Sequence, residues 1–165
     1  MIRKNGFTLI EVMVVVVILG ALAAVAVPKI FGMVAKAQAA EIPTATGSYV
    51  HMQEAYIHHE HSIGTWKDIG YGAPGNGKSK NFEYGDCIHE KIPLSNNAES
   101  ILGWRASNMY KLNDCLAHSS WGIVLIAVDD NKVNYRQVVS TTECGALTAN
   151  WNVENIDASA CNNGN

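Results

Sequence analysis

The sequence lacks several features that would assign it to a common functional class. Its 12 lysines and arginines are outnumbered by 15 aspartates and glutamates, so it has no basic excess that could neutralise nucleic-acid phosphates. It has no repeat with a period of roughly 20 to 50 residues, which excludes solenoids and propellers. No Cys-x-x-Cys pair is present to clamp zinc. Since no nucleophile or acid pair suggests catalysis, we predict a non-enzyme without cofactor, metal or nucleic-acid partner.

Charge is also missing from a long apolar segment near the N-terminus. Residues 7–27 include 18 apolar residues out of 21, and none from Val12 to Val27 is charged. A helix of this length spans roughly 30 Å, which matches the hydrocarbon core of a bilayer. Because Arg3 and Lys4 precede the segment, the positive-inside rule predicts a cytoplasmic N-terminus, with the rest of the chain outside.

Three interpretations of this segment are open from the residues alone. A secretory signal peptide would be cut after a small-x-small stretch such as 21–23, and a plain signal anchor would stay uncut. Neither has a use for Glu11, whose carboxylate costs several kcal/mol in an apolar span unless a cation pairs with it. The third is cleavage after Gly6, which would supply that cation, because Phe7 would then carry a new α-amino group close to Glu11.

These residues resemble a known family. A short basic leader is followed by Gly6-Phe7-Thr8-Leu9-Ile10-Glu11-Val12 and an apolar helix. This arrangement resembles the signature of type IV pilins, which type II secretion pseudopilins share. The resemblance implies that a membrane prepilin peptidase and N-methyltransferase cuts between Gly6 and Phe7 and methylates Phe7. It also implies that Glu11 neutralises the N-terminus of an adjacent subunit, and so sets the register of a helical filament.

The resemblance implies an α+β fold with three segments. These are a leader peptide (1–6), a hydrophobic transmembrane and filament-core helix (7–28), and a remainder (29–165) that holds the second half of the helix and a globular head. The residues predict one helix from about Phe7 to about His61, interrupted or bent at Pro28 and again near Pro43. Its C-terminal half should lie against an antiparallel sheet.

Strand and turn signals follow the helix. The clearest is a hairpin of two β-rich runs, 122–128 and 133–139, joined by a polar turn. Further strands are expected near 82–88 and 107–116. The glycine-rich stretch 70–78 is predicted to be a loop between helix and sheet.

The four cysteines, Cys87, Cys115, Cys144 and Cys161, favour two disulfides in a domain outside the cytoplasm. Sequence alone permits three pairings. The resemblance to pilins implies a C-terminal disulfide loop between Cys144 and Cys161, which leaves Cys87 and Cys115 as the second pair.

Two other clusters have alternative interpretations. The histidines at positions 51, 58, 59 and 61 could bind metal, with Glu54 and His58 at a suitable helical spacing, or they could be solvated side chains at a helix end. The tryptophans at positions 66, 104, 121 and 151 could form a surface that stacks on polysaccharide, or they could fill the core.

The resemblance implies a structural subunit, most simply the major pilin of a type IV pilus used for adhesion or motility. A type II secretion pseudopilin, a minor pilin and an anchored binding module are the alternatives. The expected partners are other copies in a homo-oligomeric filament, the prepilin peptidase and the inner-membrane pilus assembly machinery. The expected location is the inner membrane as a single-pass precursor, and afterwards the extracellular pilus.

Overall fold

The computed structural model describes residues 6–94, 100–157, 159 and 161–163. The chain divides into two compact units, Met1–Val34 and Ala35–Asn165. The first is helical, and the second is the head, which contains the sheet.

Helix α1 (Leu9–Ala39) begins in the N-terminal unit. It continues through Pro28, so the predicted interruption at that residue is absent, and a bend there stays a prediction. A proline inside a helix removes one backbone hydrogen bond, and neighbouring turns can keep the helix continuous around the gap.

A second helix, α2 (Glu41–Glu60), follows after a single residue, Ala40, which keeps a right-handed helical backbone and donates to the carbonyl of Lys36 at 3.0 Å. The interruption predicted near Pro43 is therefore present, and it is confined to one residue. Because Pro43 has no N–H, it cannot donate to the carbonyl of the residue four positions earlier, which lies at the end of α1. The helix ends at His61, whose left-handed backbone lets its N–H donate to the carbonyl of Ile57.

The described elements of the head after α2 are β1 (Ser62–Ile63), α3 (Trp66–Ile69), β2 (Phe82–Asp86), β3 (Ile92–Pro93), β4 (Ser100–Asn108), β5 (Ser120–Asp129), β6 (Lys132–Val139), α4 (Thr142–Gly145), β7 (Asn152–Val153) and β8 (Asn162–Asn163). Six of these strands form a sheet of order β7-β6-β5-β4-β2-β8, whose neighbours are antiparallel except for the parallel pair β6 and β7. A separate pair joins β1 and β3. The α+β class predicted from the sequence is therefore confirmed.

The predicted hairpin is confirmed as β5 and β6, and its turn is closed by the amide of Asn131, which donates to Oδ1 of Asp129 at 2.9 Å. The strand predicted at 107–116 is wrong, because β4 lies earlier, at Ser100–Asn108. The buried amide of Asn108 ends β4 by donating to the carbonyls of Tyr110 and Leu116, at 2.9 and 2.8 Å. Residues 109–119 therefore form a loop that the Asn108 side chain holds against the end of β4.

One face of α2 packs on the sheet. Its buried residues recur at helical spacing: Ile42, Ala45, Tyr49, Gln53 and Ile57. A buried polar chain links the two layers, since Trp104 Nε1 donates to Tyr71 Oη at 3.1 Å, and that hydroxyl donates to the carbonyl of Ala45 at 3.2 Å. Burial raises the pKa of Tyr71 to about 12, so its hydroxyl stays protonated and can donate.

The disulfides correct the predicted pairing. Cys87 is bonded to Cys161 and Cys115 to Cys144, with Cα atoms 4.0 and 4.6 Å apart. Sheet register explains the first bond, because Asp86 and Asn162 are paired residues of β2 and β8, and the next pair outward is Cys87 and Cys161.

The second bond joins two connections. Cys144 lies in α4 after β6, Cys115 lies in the loop after β4, and both are fully buried. The predicted loop closed between Cys144 and Cys161 does not form. The C-terminal segment is instead fastened to the far edge of the sheet.

We expect non-reducing peptide mapping to link Cys115 to Cys144 and Cys87 to Cys161. Replacing Cys115 and Cys144 together by serine should lower the free energy of unfolding by about 3 kcal/mol or more, because a cross-link over a separation of 29 residues is lost and two polar groups enter the core. Thermal unfolding of this double-serine variant, compared with the unaltered chain, measures the loss of stability. A peptide linking Cys144 to Cys161 would contradict the structure.

Candidate functional site at the start of the N-terminal helix

The residues around the predicted cleavage point precede the first helix. Gly6, Phe7 and Thr8 are non-helical and exposed, and Phe7 has 84% of its surface accessible. A Cβ added to Gly6 would meet no atom within 4 Å, so the subunit's own packing does not require glycine there. The Gly6–Phe7 peptide bond is therefore accessible. No contact among the described residues requires position 6 to be glycine.

Thr8 is the N-cap of α1. Its Oγ1 accepts a hydrogen bond from the amide of Glu11 at 3.3 Å, and its carbonyl accepts one from the amide of Val12 at 3.4 Å. The Thr-x-x-Glu spacing just before an apolar run is the sequence signature of such a cap, and it could have been recognised beforehand. The cap fixes where the helix starts, and so places Glu11 in its first turn.

Glu11 lies exposed in the first turn of the helix. None of the described residues places a cation within ion-pair distance of its carboxylate. The free amides of a helix N-terminus carry partial positive charge, which favours a carboxylate at this position. The Glu11 carboxylate could therefore pair with a positively charged group that the described part of the chain does not supply.

The side chains on both sides of Glu11 along α1 form a continuous exposed apolar surface. The large residues on it, all about half exposed or more, are Leu9, Ile10, Val12, Met13, Val14, Val15, Val16, Val17, Ile18, Leu19, Leu22, Val25, Val27, Ile30, Phe31, Met33 and Val34. A patch of this extent indicates burial in a membrane or against other proteins. The helix is long and apolar enough to cross a bilayer, a property that core helices and signal sequences can share.

A family model for the prokaryotic N-terminal methylation motif matches residues 1–27. The chain carries a prepilin-type leader. The motif indicates a precursor of the pilin or pseudopilin kind. No curated protein and no solved structure matches the chain significantly. The match covers the leader and the apolar helix but not the head.

The other candidate residues are not assembled into a site. His51 Nδ1 lies 3.8 Å from a carboxylate oxygen of Glu54, and His59 Nδ1 lies 2.8 Å from Glu60, whose other oxygen pairs with Lys91 at 2.6 Å. The Lys91 ammonium is the main cause that lowers the pKa of Glu60. Within the described ranges, no group of three or more metal-binding side chains is found.

The structure decides between the two alternatives for the tryptophans in favour of the core. Trp104 and Trp121 are fully buried, and Trp66 and Trp151 are 8% exposed. Trp121 packs edge-on against Phe82 with ring centroids 5.6 Å apart. All four side chains belong to the core, so they do not form a platform for polysaccharide.

We expect Thr8→Ala to fray the first turn of α1, because the amide of Glu11 loses its side-chain acceptor, at a cost of about 1 kcal/mol in local helix stability. Hydrogen exchange at the Glu11 amide, measured on the full chain in detergent micelles, should become faster. Thr8→Ser keeps the hydroxyl and is the matched control. Equal exchange in both variants would show that the hydroxyl does not cap the helix.

Proposed function

We propose that this chain is the major structural subunit of a type IV pilus, polymerising through its N-terminal helix into an extracellular filament used for adhesion or motility. One observation carries the proposal: a prepilin-type motif stands at the start of an exposed apolar helix whose only acidic residue, Glu11, lacks a described partner. That combination fits a helix that is to be covered by identical neighbours.

Processing comes first in the proposed sequence of events. The precursor spans the inner membrane once, with its N-terminus in the cytoplasm, and a prepilin peptidase hydrolyses the Gly6–Phe7 bond. The non-helical conformation and exposure of these two residues support access by the enzyme. The new α-amine of Phe7 is then methylated, and as a secondary amine it remains positively charged at neutral pH.

Glu11 provides register in the proposed filament. Its carboxylate meets the charged N-terminus of an adjacent subunit, and the pair forms in a low-dielectric environment where an isolated charge costs several kcal/mol. A neighbour displaced along the axis would leave both charges unpaired. The pair therefore selects one axial offset, while the apolar side chains supply most of the cohesion.

Transfer from lipid to filament needs little change in environment. Lipid tails and neighbouring helices are both apolar, so close packing decides between them. A Cβ at Gly20 or Gly32 would meet nothing within 4 Å in the subunit, which leaves room for another helix to approach. The inner-membrane assembly machinery would supply the work of extraction.

A type II secretion pseudopilin and a minor pilin share the same N-terminal features. The two disulfides of the head are compatible with all three kinds of subunit, because the periplasm and the cell surface are both oxidising environments. Surface filaments that contain the chain throughout their length would distinguish the major pilin from both alternatives.

We expect Gly6→Val to leave the precursor uncut in the inner membrane, because a branched side chain at the cleavage point obstructs the peptidase. Intact mass and N-terminal sequencing of the membrane fraction measure this directly. Wild-type chain should begin with N-methylated Phe7. A wild-type protein cut after residue 23 or 26 would instead identify an ordinary signal peptide.

We expect Glu11→Ala to be cut and methylated normally but to yield at least about tenfold fewer filaments, since a buried charge on the neighbour is left unpaired. Glu11→Gln is the matched control for size. If charge sets the register, the glutamine variant should assemble as poorly as the alanine variant. Electron microscopy of sheared surface material counts filaments, and normal assembly of the glutamine variant would contradict the charge pairing.

A further inference from the structure

The two edges of the six-stranded sheet are protected unequally. At the β2 edge, β8 covers Gly85 and Asp86, and an isolated bridge from Lys78 covers Glu83. At the opposite edge, β7 pairs with β6 only at Val138 and Val139. Most of the outer side of β6 therefore has no neighbouring strand among the described residues.

Strand register identifies which backbone groups are left over. In an antiparallel ladder the residue pairs alternate between those that exchange hydrogen bonds and those whose N–H and C=O groups point away. The amide of Ser140 donates to Ser120, and counting back by twos from this pair places Asn134 and Arg136 in bonded pairs with β5. The N–H and C=O groups of Val133 and Tyr135 consequently point to the open side.

One observed hydrogen bond agrees with this parity. The carbonyl of Val139 accepts a hydrogen bond from the amide of Glu154 at 3.0 Å, on the side away from β5. Val139 has the same parity as Tyr135 and Val133, so their backbone groups face the same way. Val133 and Tyr135 together present two donors and two acceptors at the open edge, at the spacing of an extended chain.

A groove runs along this edge, between β6 and one face of α2. It consists of two adjoining cavities of about 360 and 690 Å³, which both include Tyr135. The helix contributes residues at helical spacing: Pro43, Thr46, Gly47, Val50, His51, Glu54, Ile57 and His58. A helix beside an unpaired strand edge is a geometry that accepts an added strand.

Gly47 points to the same use of the groove. Glycine inside a helix is destabilising by roughly 0.5–1 kcal/mol relative to alanine, so it usually has a packing reason. A Cβ at Gly47 would meet nothing within 4 Å, so no such reason exists within the described subunit. The hydroxyl of Tyr135 is also buried without a described hydrogen-bond partner.

We infer that an extended segment of a neighbouring copy of this chain docks in this groove and adds a strand beside β6. The occupant is a neighbouring copy because a few backbone hydrogen bonds, each of small net value in water, do not offset the freedom that a free peptide loses on binding. A segment already held nearby by helix assembly has a high effective concentration. The inference therefore rests on the proposed function and adds a contact between heads.

Residue-resolved amide hydrogen exchange tests the contact, comparing the full mature chain in detergent micelles with the assembled filament. The amides of Val133 and Tyr135 should exchange at least about tenfold more slowly in the filament. The amides of Asn134 and Arg136, bonded to β5, should be slow in both states and serve as internal controls. Unchanged exchange at Val133 and Tyr135 in well-formed filaments overturns the docking alone, whereas an absence of filaments overturns the proposed function and the docking with it.

A variant pair tests the groove independently. A Cβ at position 47 meets nothing within 4 Å and the groove lies beside it, so Gly47→Leu should place its side chain in the groove and unfold at the same temperature as Gly47→Ala. Assembly of the leucine variant should fall at least about tenfold relative to that control. Equal filament yields from the two variants, both folded as judged by the melting temperature, would reject the groove as a contact. Protection that appears only after an unrelated peptide is added would assign it to a foreign partner and would also overturn the inference.

Discussion

An apolar helix that carries one carboxylate cannot remain exposed to water, and this constraint governs the N-terminal unit. Full burial of each large aliphatic side chain contributes about 1.5–3 kcal/mol, and α1 exposes many of them in succession. That hydrophobic gain is nearly indifferent to axial position, because a neighbouring helix displaced by one turn still covers apolar surface. In the filament proposed above, Glu11 would supply the axial position that the apolar side chains leave undetermined, so cohesion and register would come from different residues of the same helix.

The head is held together by a different set of interactions. Its polar groups are largely paired in the interior, as in the chain from Trp104 through Tyr71 to the carbonyl of Ala45. The Tyr84 hydroxyl donates to a carboxylate oxygen of Glu41 at 2.5 Å and so connects the start of α2 to the sheet. Burial raises the pKa of the Tyr84 hydroxyl, which therefore remains a donor. Such bonds fix α2 over the strands, and the position of α2 in turn creates the groove beside β6.

Local signals in the sequence predicted the elements that depend on neighbouring residues. The N-terminal motif, the break near Pro43 and the β5–β6 hairpin all arise from residue types within a few positions of each other. The disulfide pairing could not be read in this way, because it depends on β8 returning to pair with β2 from the end of the chain. The location of β4 was missed for a related reason: the buried amide of Asn108 ends the strand through bonds to a loop that the pattern of side chains does not reveal.

Two further features could not be assigned from the sequence alone, namely the environment of the tryptophans and the open edge of the sheet. Four tryptophans are equally compatible with a core and with a binding surface until the sheet shows which side chains face inward. The parity of Val133 and Tyr135 depends on a register that only the paired strands define. In contrast, Thr8 was readable from its spacing to Glu11, and its role as a cap was overlooked.

The bond between Cys87 and Cys161 limits how far the head can lengthen under mechanical load. It closes a loop over a sequence separation of 74 residues, so that stretch adds nothing to the contour length between the helix and the C-terminus, even when its strands separate. At roughly 3.5 Å per extended residue, the disulfide prevents the head from lengthening by a further distance on the order of 250 Å. A chain pulled between its two ends can therefore unravel only before Cys87 and in the few residues after Cys161, and most of the sheet lies inside the cross-linked loop.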